Sequence, residues 1–146
     1  MATHYDAIVI GTGQAGPSLA AALAGAGRQV AIVERQRFGG TCVNVGCIPT
    51  KALVASARAA HVARRGADFG VVIGGGVTID MARVKGRKDA IVARSNQGVE
   101  QWLRGLDNCT VYDGHARFQA PRVVRVGNDQ LEAEQVFINV GARAYV

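Results

Sequence analysis

Cys42 and Cys47 stand five residues apart in GGTCVNVGCIPTK, residues 39–51. Thiols do redox chemistry as thiolates, and a helix N-terminus favours that charge through its dipole and free N–H groups. A helix beginning near Val43 would place both sulfurs at such an end. A spacing of five is longer than one regular helical turn, so a bond between the sulfurs would need local distortion, and Pro49 blocks an early regular hydrogen-bond pattern. A strained small loop of this kind is easier to reduce than a structural bridge. Two other readings are open: a pair of inert buried residues, or half of a zinc site that no further C-x-x-C or histidine pair completes. Cys109, alone at a strand entry, reads as a core residue, and no metal site is expected.

The second group is Gly11, Gly13 and Gly16, spaced G-x-G-x-x-G, with Glu34 following 23 residues after the first of them. This spacing lets backbone turn tightly and bring its N–H groups against a pyrophosphate at a helix N-terminus, while a carboxylate at the next strand end accepts hydrogen bonds from ribose hydroxyls. A lone glycine fingerprint also occurs in unrelated Gly-rich turns, so its value depends on the elements around it.

Those elements are present. Residues 5–10 (YDAIVI) form a nearly continuous apolar run ending in Gly, the pattern of a parallel strand buried on both faces. Residues 14–26 read as a helix of small and apolar residues, with Pro17 near its first turn and Gly25 and Gly27 as the stop. Residues 30–33 are a second buried strand ending at Glu34, which completes a βαβ unit with a right-handed crossover. After a loop at 35–41, helical patterns cover 43–65 and 79–106, separated by the exposed Gly-rich stretch GVVIGGGV; Gly86 and Gly98 could interrupt the second helix. From Thr110 the chain turns to short strands (TVYDG, HARFQ, RVVRV, EQVFINVGA), with turn signals at Ala120-Pro121 and Gly127-Asn128-Asp129. These predict a small antiparallel excursion that returns to a buried strand. The fold class is therefore α/β, a Rossmann-like domain with a parallel sheet plus that excursion.

Composition agrees with one globular domain: 146 residues, 49% hydrophobic and 19% charged. The 19 Gly against 3 Pro point to tight turns or close approach of backbone to a ligand. The net charge of +6 does not indicate nucleic acid, because the basic residues are scattered through apolar segments and aromatics make up only 5%; it either attracts anionic cofactors or substrates or has no specific role. No apolar run approaches a membrane span, the N-terminus lacks a leader pattern, and three Cys are too few for a disulfide scaffold. A soluble, cytoplasmic protein without a membrane partner is expected.

Following GTGQAG and preceding a long Ala-rich helix, GGTCVNVGCIPTK resembles the pyridine nucleotide-disulfide oxidoreductases, the family of dihydrolipoamide dehydrogenase, glutathione reductase and mercuric reductase. The resemblance runs nearly the full chain. GTGQAGPSLA and HVARRGADFGV look most like mercuric-reductase-like members. The resemblance implies that Gly11, Gly13 and Gly16 cradle the FAD pyrophosphate, that Glu34 binds the adenosine ribose, and that Gly40 and Thr41 continue the flavin site. Lys51 would lie beside the flavin, where its charge favours a reduced, anionic form; the alternative is a solvated helix residue. Gly114 and Ala116 would contact adenine through their backbone, with His115 between them structural. Gly141 would belong to a later flavin motif, in which Asn139 and Val140 replace the usual first two residues. NAD(P)H would reduce FAD, and the flavin would reduce a Cys42–Cys47 disulfide. Cys47 would become the charge-transfer thiolate and Cys42 would exchange with a disulfide or metal-ion substrate.

The family also has an NAD(P)H domain, a return segment that completes the FAD domain, and an interface domain that supplies a His-Glu pair across a homodimer. None is expected in residues 1–146, where none of His4, His61 and His115 has the catalytic context. Residues 1–146 therefore read as a partial FAD-binding domain, and the alternative function is a catalytically incompetent FAD- or nucleotide-binding module.

Overall fold

The computed structural model describes residues 2–142. Strand β1 (Thr3–Ile10) is followed by helix α1 (Gly16–Gly25) and strand β2 (Val30–Glu34), the anticipated βαβ unit. Along β1, Ile8 and Ile10 face one side of the sheet and Val9 the other; along β2, Ala31 and Val33 alternate with Val30 and Ile32. All seven are buried, because both faces are covered, which is why the run shows no polar alternation. The second face carries Ala20 and Ala24 of α1 and Leu103 of α4 (Met81–Arg104).

The helical pattern at 43–65 is two helices: α2 (Gly40–Asn44) and α3 (Cys47–Arg64). A single helix would place Pro49 in its interior, without a donor for the Val45 carbonyl and with its ring against that group, at about 3 kcal/mol. The chain instead breaks at Val45-Gly46 and restarts at Cys47, so that Pro49 falls in a first turn where no N–H is needed. Helix α4 runs 24 residues without a break at Gly86 or Gly98. Its N-terminus is set by Asp80, whose side chain accepts from the Arg83 N–H at 3.0 Å. The Gly-rich stretch before it is exposed, as expected.

The six strands lie in one sheet in the order β3-β2-β1-β6-β5-β4. Strand β3 (Cys109–Asp113) is a correction to the expected excursion: it pairs parallel with β2 and extends the parallel sheet. Only β4 (Ala116–Ala120) and β5 (Val123–Val126) are antiparallel, joined through β5 to β6 (Asp129–Ile138), which runs parallel to β1. In a flat sheet β5 and β3 would stand roughly 19 Å apart. Yet a Cβ on Gly114, just after β3, would lie 2.8 Å from Val126 of β5. The β4–β5 hairpin therefore folds back over the face formed by Ile8, Ile10, Ala31 and Val33, burying Val124 and Val126 against it.

On that face Tyr5 and Tyr112 meet edge to face, with their hydroxyls 2.8 Å apart. Burial, and then the hydrogen bond to Tyr5, push Tyr112 up to about 12. The neutral phenol is favoured in the folded state, so its contribution is complete below the ordinary tyrosine value near 10 and is lost as pH rises through about 12. Thermal unfolding followed from pH 9 to 11.5 is expected to show a falling Tm that Tyr112→Phe flattens; equal slopes in the two proteins would refute this coupling.

Candidate functional site

At the C-terminal ends of β1, β2, β3 and β6 the backbone opens into a cleft of ≈ 1420 Å³. Ligands of parallel α/β sheets occupy this position, and the volume exceeds the roughly 300–1,000 Å³ of ordinary small-molecule pockets. The glycines that form it have separate tasks. Gly11 has φ +105°, and a Cβ there would sit 2.4 Å from the Asn139 carbonyl oxygen, so the β1 and β6 exits pack backbone to backbone. Gly16 does not line the cleft; a Cβ on it would lie 2.0 Å from the Gly11 carbonyl oxygen, making it the packing residue between α1 and β1. Gly40, at φ +59°, lies against the Gly13 backbone, where a Cβ would be 2.8 Å from its Cα. Gly13 alone of these four has nothing within 4 Å of an added Cβ, and it lines the cleft. Beside it α1 begins at an N-terminus without a side-chain cap. Open backbone and an uncapped helix start suit a pyrophosphate.

Glu34 closes the adjoining wall. One carboxylate oxygen accepts from the Thr12 N–H at 3.1 Å and from the Thr12 hydroxyl, and the other accepts from the Gln36 N–H at 2.9 Å. The second oxygen retains lone-pair capacity for a ribose hydroxyl. Thr12 is completely buried, and sequence reasoning passed over it as one of the unspecified positions of the fingerprint. Its hydroxyl holds the acid in place.

Thr41, Gly114, Ala116 and Gly141 also line the cleft, as do Cys42 and Cys47. His115 is at the rim and exposed. The break between α2 and α3 brings the two thiols together: Cys42 lies within α2, while Cys47 is the exposed first residue of the 18-residue α3. The neighbouring Cys47 side chain, followed by partial burial and the Cys47 charge, raises Cys42 above the usual thiol range. The Cys47 backbone N–H and the Lys51 charge pull in the opposite direction. Cys42 is thereby favoured as the neutral thiol, and Cys47 stands at the N-terminus of α3. Lys51 is exposed one turn further along α3 and outside the cleft lining; its influence reaches Cys42 as charge. Cys109 is half-buried against the α1/α4 face, and its burial raises its thiol, consistent with a core residue. Among the described residues no three His, Cys, Asp or Glu side chains are grouped to hold a metal ion.

The sequence profile of the pyridine nucleotide-disulphide oxidoreductases matches residues 5–146. The chain belongs to that family. Its members are FAD-dependent flavoproteins that use NAD(P)H. The chain is 35% identical to a dihydrolipoyl dehydrogenase of Acholeplasma laidlawii, over 100% of this chain and 43% of that protein. It is 37% identical to the probable pyridine nucleotide-disulfide oxidoreductase RclA of Escherichia coli, over 97% of this chain and 30% of that protein. The solved Cu(II) complex of RclA, described as an HOCl-induced flavoprotein disulfide reductase, superposes with a TM-score of 0.81 at 35% identity, covering 99% of this chain and 30% of that one. The chain thus spans less than half the length of these relatives. Among the described residues no helix is long and apolar enough to cross a membrane.

Proposed function

We propose that this chain is the FAD-binding and dithiol-bearing part of an enzyme that passes electrons from NAD(P)H through FAD to Cys42 and Cys47, and from them to a disulfide or a metal ion. The observation that carries the reading is that Cys42 and Cys47 line the same cleft as the open Gly13 backbone. Gly11, Gly13 and the α1 N-terminus would hold the pyrophosphate, Glu34 the ribose, Gly114 and Ala116 the adenine, and Gly40, Thr41 and Gly141 the flavin end, with Lys51 acting on it from outside the lining through its charge. Bound FAD supplies a two-electron carrier between the nicotinamide nucleotide and the sulfurs. Cys47, at the start of α3, would serve as the charge-transfer thiolate, and Cys42 would exchange with the substrate sulfur or metal.

A thiophilic metal ion as acceptor is favoured by the mercuric-reductase-like segments GTGQAGPSLA and HVARRGADFGV, and the Cu(II) complex of the RclA relative is in keeping with it. Residues 133–138 of β6 pair with β1, while its pairing with β5 reaches only Glu132. That open edge supports the proposal that further chain completes the domain in a cytoplasmic, homodimeric enzyme.

The test is the visible spectrum of the purified 146-residue chain after incubation with FAD and removal of excess, before and after anaerobic dithiothreitol. A flavin spectrum that gains long-wavelength absorbance on thiol reduction, and fails to gain it in Cys47→Ser, is expected. A protein that stays colourless after reconstitution would overturn the cofactor assignment, and a band retained in Cys47→Ser would overturn the assignment of that thiol.

A further inference from the structure

The two thiols belong to separate helices joined through Val45 and Gly46, and both helices are also held by groups far away in the chain. Helix α2 is only five residues long, too short to be stable by itself. Its start is tied to the fingerprint loop by the Gly39 N–H to Thr12 carbonyl bond at 3.0 Å and by the contact of Gly40 with Gly13. Its end is tied elsewhere. The Asn44 side-chain amide donates to the carbonyls of Phe38 and Gly40, both at 2.8 Å. Asn96, in the middle of α4, donates from Nδ2 to the same Phe38 carbonyl at 2.7 Å and to Asn44 Oδ1 at 3.1 Å. The two amides and two carbonyls form a closed, half-buried network. It clips the cysteine-bearing turn to α4.

The same helix grips α3. Arg87 donates from Nη1 to the Ala52 carbonyl at 2.9 Å and to the Ser56 hydroxyl at 3.3 Å, both further along α3 from Cys47. Helix α4 is thus the common strut of both thiol-bearing helices. Asparagine is a poor residue for a helix interior, and its presence in the middle of α4 is accounted for by these bonds.

We propose that Asn96, acting through Asn44, is a positioning residue that sets the Cys42–Cys47 separation and with it the redox equilibrium of the pair. This rests on the reading of Cys42 and Cys47 as a redox dithiol. Closing the disulfide removes two protons and two electrons from the thiols and passes them to an external oxidant such as glutathione disulfide, which becomes two glutathione thiols. The closure constant scales with the effective concentration of one sulfur at the other. Releasing α2 from α4 lowers that concentration in the dithiol and favours the open form.

The experiment equilibrates the full 146-residue chain in glutathione redox buffers, alkylates the remaining thiols, and quantifies the Cys42–Cys47 disulfide by peptide mass. Asn96→Ala is expected to lower the closure constant about tenfold, or about 30 mV for the two-electron couple. Asn44→Ala should shift it in the same direction, so the prediction stays testable if one variant folds poorly. Val99→Ala on the same helix, which loosens packing against the α1/α4 core without touching α2, should lower Tm and leave the constant unchanged. An unchanged constant in both asparagine variants, or an equal shift in Val99→Ala, would overturn the positioning role. Failure of the wild-type chain to form the Cys42–Cys47 disulfide at any buffer ratio would overturn the dithiol reading itself.

Discussion

Gly16→Ala is expected to lower the stability of this domain by about 3 kcal/mol, which for a chain of this size is a fall in Tm of roughly 10 °C. The added methyl would lie 2.0 Å from the Gly11 carbonyl oxygen, well inside contact distance. That oxygen has no room to retreat. The Gly11 N–H is bonded to the Val33 carbonyl at 2.8 Å, and Gly11 itself presses on the Asn139 carbonyl. Relief must come from α1 moving away from the sheet, which opens the packing of the fully buried Ala20 and of Ala24. Thermal or urea unfolding of the variant measures the effect, and a Tm within about 2 °C of wild type would show that α1 does not depend on this contact.

Gly13→Val should do the opposite: leave Tm nearly unchanged and weaken FAD binding at least about a hundredfold, or some 2.7 kcal/mol. A Cβ at Gly13 meets nothing within 4 Å, and the residue does not hold a left-handed conformation, so the folded chain accepts the side chain. The space it fills is where a pyrophosphate must reach the backbone. Titration of the apo chain with FAD, followed by quenching of flavin fluorescence, gives the affinity. Wild-type affinity in the variant would remove the pyrophosphate from this wall of the cleft. The pair of variants separates two tasks that the G-x-G-x-x-G spacing leaves merged: Gly16 packs and Gly13 admits the ligand.

The β1-α1-β2 unit and the stop at Glu34 were legible because each depends on neighbours a few residues away. Apolar runs, glycine turns and a strand-end acid impose their conformations locally. The continuous helix expected at 43–65 is divided by the same kind of local rule, since Pro49 is accepted only in a first turn and α3 restarts at Cys47. The placement of β3 was not legible. TVYDG has the length and composition of either a parallel or an antiparallel strand, and its partner is chosen by the open edge of β2, more than 70 residues earlier in the chain.

From its residues alone this chain determines a dinucleotide fold and a candidate cofactor cleft, because steric and hydrogen-bonding preferences act over short stretches of backbone. Tertiary structure decided which glycine packs and which stays open, that Thr12 holds Glu34, and that side chains of α4 bond to both thiol-bearing helices. These depend on groups far apart in the chain, such as Asn96 and the Phe38 carbonyl at a separation of 58 residues. Such groups meet only when the whole sheet and its helices have closed around them.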